Sequence, residues 1–150
     1  MKNITTLILL IFTVVSFAQP ERGKMREKIK AEKIAFITQQ LDLSADEAEK
    51  FWPIYNTFEA STENVKKTYL APIRQKMRRG ADISDTEANK LLENLVIAED
   101  KMHEAKVKLV KDLKSAIPAK KIIKLKSVED AFNRRLLDRL KKFREKRNRD

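Results

Sequence analysis

The stretch Leu43–Phe58, LSADEAEKFWPIYNTF, limits what this chain can fold into more than any other. Ser44 and Glu47 have the spacing of a capping box, in which the serine hydroxyl accepts from the Glu47 amide and the Glu47 carboxylate accepts from the Ser44 amide. Leu43 and Ala48 occupy the two positions of a hydrophobic staple, and Asp46 and Glu47 lie where the helix dipole favours anions. A helix therefore starts here. Phe51, Tyr55, Phe58, Thr62, Val65 and Tyr69 then recur at alternating steps of four and three, the spacing of one stripe along a helix. A stripe so rich in aromatics reads as core or dimer seam before it reads as a ligand site. Trp52 borders it, and burial is expected for its ring. Pro53 deletes the amide that would reach the Glu49 carbonyl, which predicts a kink.

The rest of the chain repeats this helical grammar. It has two glycines and four prolines, and no alternating apolar pattern is sustained anywhere, so the fold class is all-α. A first helix is expected from about Glu21 to Leu41, with Ile29, Ile34, Ile37 and Leu41 near one face, Phe36 beside it and a thickly charged first half. The second should run from Ser44 to Arg79 with interruptions at Pro53 and Pro72, and Gly80 should stop it by taking the left-handed conformation. Ile83, Ser84, Glu87 and Ala88 then repeat the start signal of Leu43, Ser44, Glu47 and Ala48. The third helix is expected from Ser84 to about Ala116, with a seam of Ala88, Leu91, Leu95, Ala98, Met102, Ala105, Leu109 and Ala116. Pro118 suits the first position of a fourth helix that reaches about Arg147. Ile122, Leu125, Val128, Phe132, Leu136, Leu140 and Phe143 line one face of it. Four amphipathic helices, two of them long, suggest an extended, curved, hairpin-like arrangement whose stripes a second copy covers, hence a homodimer.

The chain opens with Lys2, an apolar and hydroxyl run from Ile4 to Phe17, and the small-residue pattern Ser16-Phe17-Ala18. This reads as a secretory signal peptide cut after Ala18, leaving Gln19–Asp150 as a single helical domain. The run is shorter than the roughly 20 residues needed to span a bilayer as a helix, and no cysteine follows it for lipid attachment. The expected location is the periplasm.

The formal net charge is +11, and the positive charge is densest toward the C-terminus, in a basic tail over about 133–150. In the cytoplasm such a balance would suggest nucleic acid; for an exported chain no nucleic-acid partner is expected. The anions it would meet are acidic polypeptides, lipid headgroups or lipopolysaccharide, all attracted by the same long-range field. The absence of cysteine removes disulfide stapling and thiol chemistry. Candidate contacts for clients or anionic partners are Arg74, Lys76, Arg78 and Arg79 beside Gly80, and Arg134, Arg135, Arg139 and Lys142 in the tail. The first group also complements the C-terminal end of its helix dipole, so a purely structural role competes with binding there.

The mature chain resembles the Spy and CpxP group of periplasmic helical proteins, whose hallmark is a repeated Leu-Thr-x-x-Gln motif at helix starts. Leu43-Ser44-Ala45-Asp46-Glu47 stands at the first copy, with Ser for Thr and Glu for Gln, and Ile117-Pro118-Ala119-Lys120-Lys121 at the second, without the hydroxyl or the Gln. Lys50-Phe51-Trp52-Pro53-Ile54-Tyr55 looks like a branch of this group labelled as sensors of extracytoplasmic-function sigma factors. The resemblance implies an antiparallel dimeric cradle that holds unfolded proteins without ATP, as part of the envelope stress response. It equally implies a regulator acting on a membrane stress sensor or anti-sigma factor. Only the helix-start positions carry over, and no catalytic residue does.

A third class is an anionic-envelope binder acting through the basic tail. Relatives of the group are linked to zinc, and Glu99 and His103 stand one turn apart. With a single histidine and no cysteine, a closed site would need ligands from a second subunit, and neither a metal nor another cofactor is expected. An enzyme is disfavoured, because the sequence offers no activated nucleophile beside a base and no glycine-rich phosphate loop.

Overall fold

A computed structural model describes residues 18–78 and 83–148. The signal-peptide run, Arg79, Gly80 and the last two residues lie outside the described residues. Among those described the protein is all-α: four helices and no strand. Helix α1 spans Ala18–Leu41. The second helix comprises α2, Ala45–Val65, a π-helical turn at Lys66–Leu70, and α3, Ala71–Arg78. Helix α4 spans Asp85–Leu113 and α5 spans Ala119–Arg147.

The chain divides into two compact units. One is Leu43–Lys126; the other joins the segment up to Asp42 with the segment from Ser127 onward. In the first unit α2 and the π turn pack chiefly against α4. Phe51 and Tyr55 are fully buried, stacked with ring centroids 5.3 Å apart, and Thr62 and Val65 continue the buried stripe. Phe58 and Tyr69 are half-buried members of it. Trp52 meets both Phe51 and Tyr55 edge-on, at 5.0 and 5.6 Å, yet is itself only half-buried, because it lies one step off the stripe. From α4 and the following corner come Ala98, Leu109, Leu113 and Ile117, and from α5 Leu125.

Helix ends follow local chemistry. Asp42 closes α1 with φ of 51°, the left-handed conformation that Asp tolerates better than most residues, and its amide donates to the Gln39 carbonyl. Helix α4 stops at Leu113, three residues before the expected Ala116. There the Ser115 and Ala116 amides turn back to the carbonyls of Asp112 and Leu113, and the Ser115 hydroxyl also donates to Asp112. Pro118 sits one position earlier than expected: its carbonyl accepts from the Ile122 amide, so it is the N-cap residue and Ala119 the first helical one.

The proline effects differ from expectation in place. Helix α2 continues through Pro53, with the Thr57 hydroxyl donating to the Pro53 carbonyl at 2.9 Å. The irregularity comes at Pro72 instead. Just before it the helix widens, and the Ala71 amide reaches back five residues to the Lys66 carbonyl. A wider turn fits a proline whose ring would collide with the carbonyl four residues before it.

Candidate functional site

Two buried pairs of apolar residues, Ile37 and Leu41 from α1 and Val128 and Phe132 from α5, form the core of the second unit. Above this core α1 and α5 bound a cleft of about 1010 Å³. Its α1 wall carries Glu32, Phe36 and Gln39; its α5 wall carries Phe132, Arg134, Arg135, Asp138, Arg139 and Lys142. The helical repeat explains the convergence, since 135, 139 and 142 recur at steps of four and three on one face. All four basic residues proposed for the tail therefore line one surface.

The four do not act alike. Arg139 Nη1 stands 2.7 Å from Glu32 Oε2, an oxygen sealed from solvent. The N–H is not directed at that oxygen, so the contact is ionic without a formed hydrogen bond. Arg135 lies over the Phe36 ring, its guanidinium carbon 5.9 Å from the centroid, and Phe36 in turn tilts against Phe132 at 5.7 Å. Arg134 and Lys142 are exposed on the rim. The cleft thus offers an aromatic floor with cations around it. Phe36 was legible only as a neighbour of the α1 apolar face; nothing in the sequence joins it to Arg135.

The other proposed basic group does not assemble in this way. Lys76 Nζ is committed to Glu87 Oε1 at 2.7 Å, while Arg74 and Arg78 are exposed. Arg79 lies outside the described residues.

The helix-start residues do form a site, though a structural one. At Ser44 the capping box is complete: the Ser44 amide donates to Glu47 Oε2 at 2.9 Å, and the Glu47 amide donates to Ser44 Oγ at 3.2 Å. The same Glu47 oxygen accepts from Lys121 Nζ at 2.6 Å, in a pair about four-fifths shielded from solvent. The two replaced Gln positions of the motif resemblance thus meet in one ion pair. The Lys121 ammonium, first, and the Ser44 amide hold the Glu47 carboxyl below its ordinary range. At Ser84 the forward bond from the Glu87 amide forms at 3.3 Å, but the chief partner of the Glu87 carboxylate is Lys76, which likewise lowers its pKa. Leu43 and Ile83 are half-buried ahead of their caps. No sequence signal reported either lysine.

Helix α4 adds an outward surface. Leu92, Val96, Val107 and Val110 are all exposed and fall within about 60° of one another around the helix, on the side away from Ala98 and Leu109. Glu93, Glu99 and Asp100 flank the first half of this stripe, Lys106 and Lys111 the second. Glu99 and His103 are exposed there, and no group of three or more potential metal ligands is gathered among the described residues. Among those residues, no helix is long and apolar enough to cross a membrane.

Fold and site together define an all-α protein with a basic, aromatic-floored cleft. No family model matches the chain, and comparison with curated proteins and with solved structures finds no match.

Proposed function

We propose that this chain is an exported, ATP-independent holdase of the Spy and CpxP type, which binds acidic unfolded segments in the cleft between α1 and α5. The observation that carries this reading is the convergence of Arg134, Arg135 and Lys142 around Phe36 and Phe132. Cations draw an acidic chain in over distance, and aromatic faces then hold its apolar side chains at contact range. Arg139 keeps the α1 wall in place through Glu32 and is less available to a client. No covalent step and no cofactor belongs to this function.

The same reading includes a homodimer. A second copy laid antiparallel along α4 would cover Leu92, Val96, Val107 and Val110 and set Lys106 and Lys111 against Glu93, Glu99 and Asp100. Such self-complementarity is what a two-fold interface requires.

The test is light scattering from a chemically unfolded acidic client diluted into the protein without ATP, at low and moderate salt. Suppression of aggregation that weakens with salt, and that Arg134→Glu/Lys142→Glu removes while helicity is kept, supports the holdase. Absence of suppression at every ratio sinks it.

A further inference from the structure

The last turns of α5 carry a surface that neither the core nor the cleft uses. Leu137, Leu140 and Phe143 are 57%, 50% and 64% exposed. At 3.6 residues per turn they fall within about 120° of one another, roughly opposite the side that presents Arg134, Arg135 and Lys142 to the cleft. Arg144 and Arg147 stand beside Leu140 and Phe143 and line a shallow hollow with them. From 134 to 147 the helix carries eight Lys and Arg against only Asp138 and Glu145.

Charge decides what can cover this apolar face. A second copy would press two such basic segments together, and their repulsion opposes pairing. A folded acidic protein would have to match cations spread around most of the helix circumference. A bilayer rich in anionic phospholipid presents diffuse negative charge directly above hydrocarbon, which matches apolar side chains interleaved with arginines. Arginine stems can lie along the apolar face while their heads stay among phosphates. A helix of this kind lies on a membrane and does not cross it.

We propose that the C-terminal part of α5, from Leu137 to Arg147, docks on an anionic phospholipid surface, with Leu140 and Phe143 in the acyl boundary and Arg144 and Arg147 at the headgroup phosphates. This surface is separate from the cleft, so the inference does not rest on the holdase reading.

The test uses the full chain carrying Phe143→Trp, read as the difference from the parent so that Trp52 cancels. Vesicles contain either phosphatidylcholine alone or a mixture with phosphatidylglycerol. A blue-shifted emission, quenched by lipids brominated near the headgroup, is expected with the mixed vesicles and absent with phosphatidylcholine. In flotation, Leu140→Ser/Phe143→Ser is expected to lower binding to the mixed vesicles about tenfold or more, with unchanged helicity because both side chains are exposed. Aggregation suppression should persist in that variant. An unshifted emission on mixed vesicles overturns the proposal, as does flotation that the double substitution leaves intact, which would mean surface charge alone. A shift produced by a soluble acidic protein and not by vesicles overturns it too, in favour of a protein partner.

Discussion

Phe132→Ala should release α1 while leaving α4 folded. The unit that holds α1 has four buried apolar residues, Ile37, Leu41, Val128 and Phe132, each worth about 1.5–3 kcal/mol of gross burial. Phe132 is the largest of them and is 4% exposed, and it supports Phe36 at a centroid distance of 5.7 Å. Truncating a buried Phe costs about 3–5 kcal/mol, about 0.5–1.5 of which can be assigned to a lost aromatic pair. The Glu32 to Arg139 contact cannot replace that loss: both side chains are about a third exposed, and such pairs contribute about 0–1 kcal/mol. At about 1.4 kcal/mol per factor of ten, amide protection along Ile29–Leu41 should fall about 100-fold or more. Amides around Ala98 and Leu109 should keep theirs, since those residues belong to the other unit. Native-state hydrogen exchange followed by mass spectrometry reads both segments in one sample. Unchanged protection in α1, or an equal loss in both segments, would refute the assignment of α1 stability to this small core.

Three further outcomes are expected. Glu47 has a folded pKa below its ordinary value of 4.5, so its contribution is fully present above that pH and is lost as the pH falls through the lowered folded value. Glu47→Gln should therefore flatten the acid limb of a urea-midpoint profile taken from about pH 6 to about pH 3, and an unchanged acid limb would count against the Lys121 pairing. Ser44→Ala should cost about 1 kcal/mol in urea unfolding, because the Glu47 amide loses its acceptor. Val96→Glu/Val107→Glu should leave helicity intact and convert a dimer to a monomer in sedimentation; a parent chain that is monomeric at high concentration removes the α4 interface.

Helix number was legible because the start signals are local. Ser44, Ser84 and Pro118 each mark a helix start within a few residues of sequence, and the structure moves those starts by at most one position. The stripe of Phe51, Tyr55, Thr62 and Val65 was legible for the same reason, since periodicity is written along the chain. Leu113 was not. Continuing the α4 seam to Ala116 passed over the residue on which the helix ends, and that residue is fully buried. Leu140 and Phe143 show a second limit: a face can be apolar in sequence and yet meet no covering element, as their exposure records. The pairing of Glu47 with Lys121 spans 74 positions, and the cleft depends on which side of α5 turns toward α1. Both are settled by packing, which leaves no mark on local pattern.

The widened turn at Lys66–Leu70 has a consequence for how this chain can vary. A turn closed over five residues holds one residue more than its neighbours, so the side chains beyond it are out of phase with the stripe that ends at Val65. Lys76 therefore reaches Glu87 from a face that simple counting from Phe51 would not select. Removing one residue between Lys66 and Leu70 would let the helix close as an ordinary spiral up to Pro72, at the cost of rotating everything after it by about 100°. Among sequences of this kind, a one-residue difference in length at this point would be a change of angle and not a gap in the helix, and the lysine that holds the next helix start would shift position to follow it.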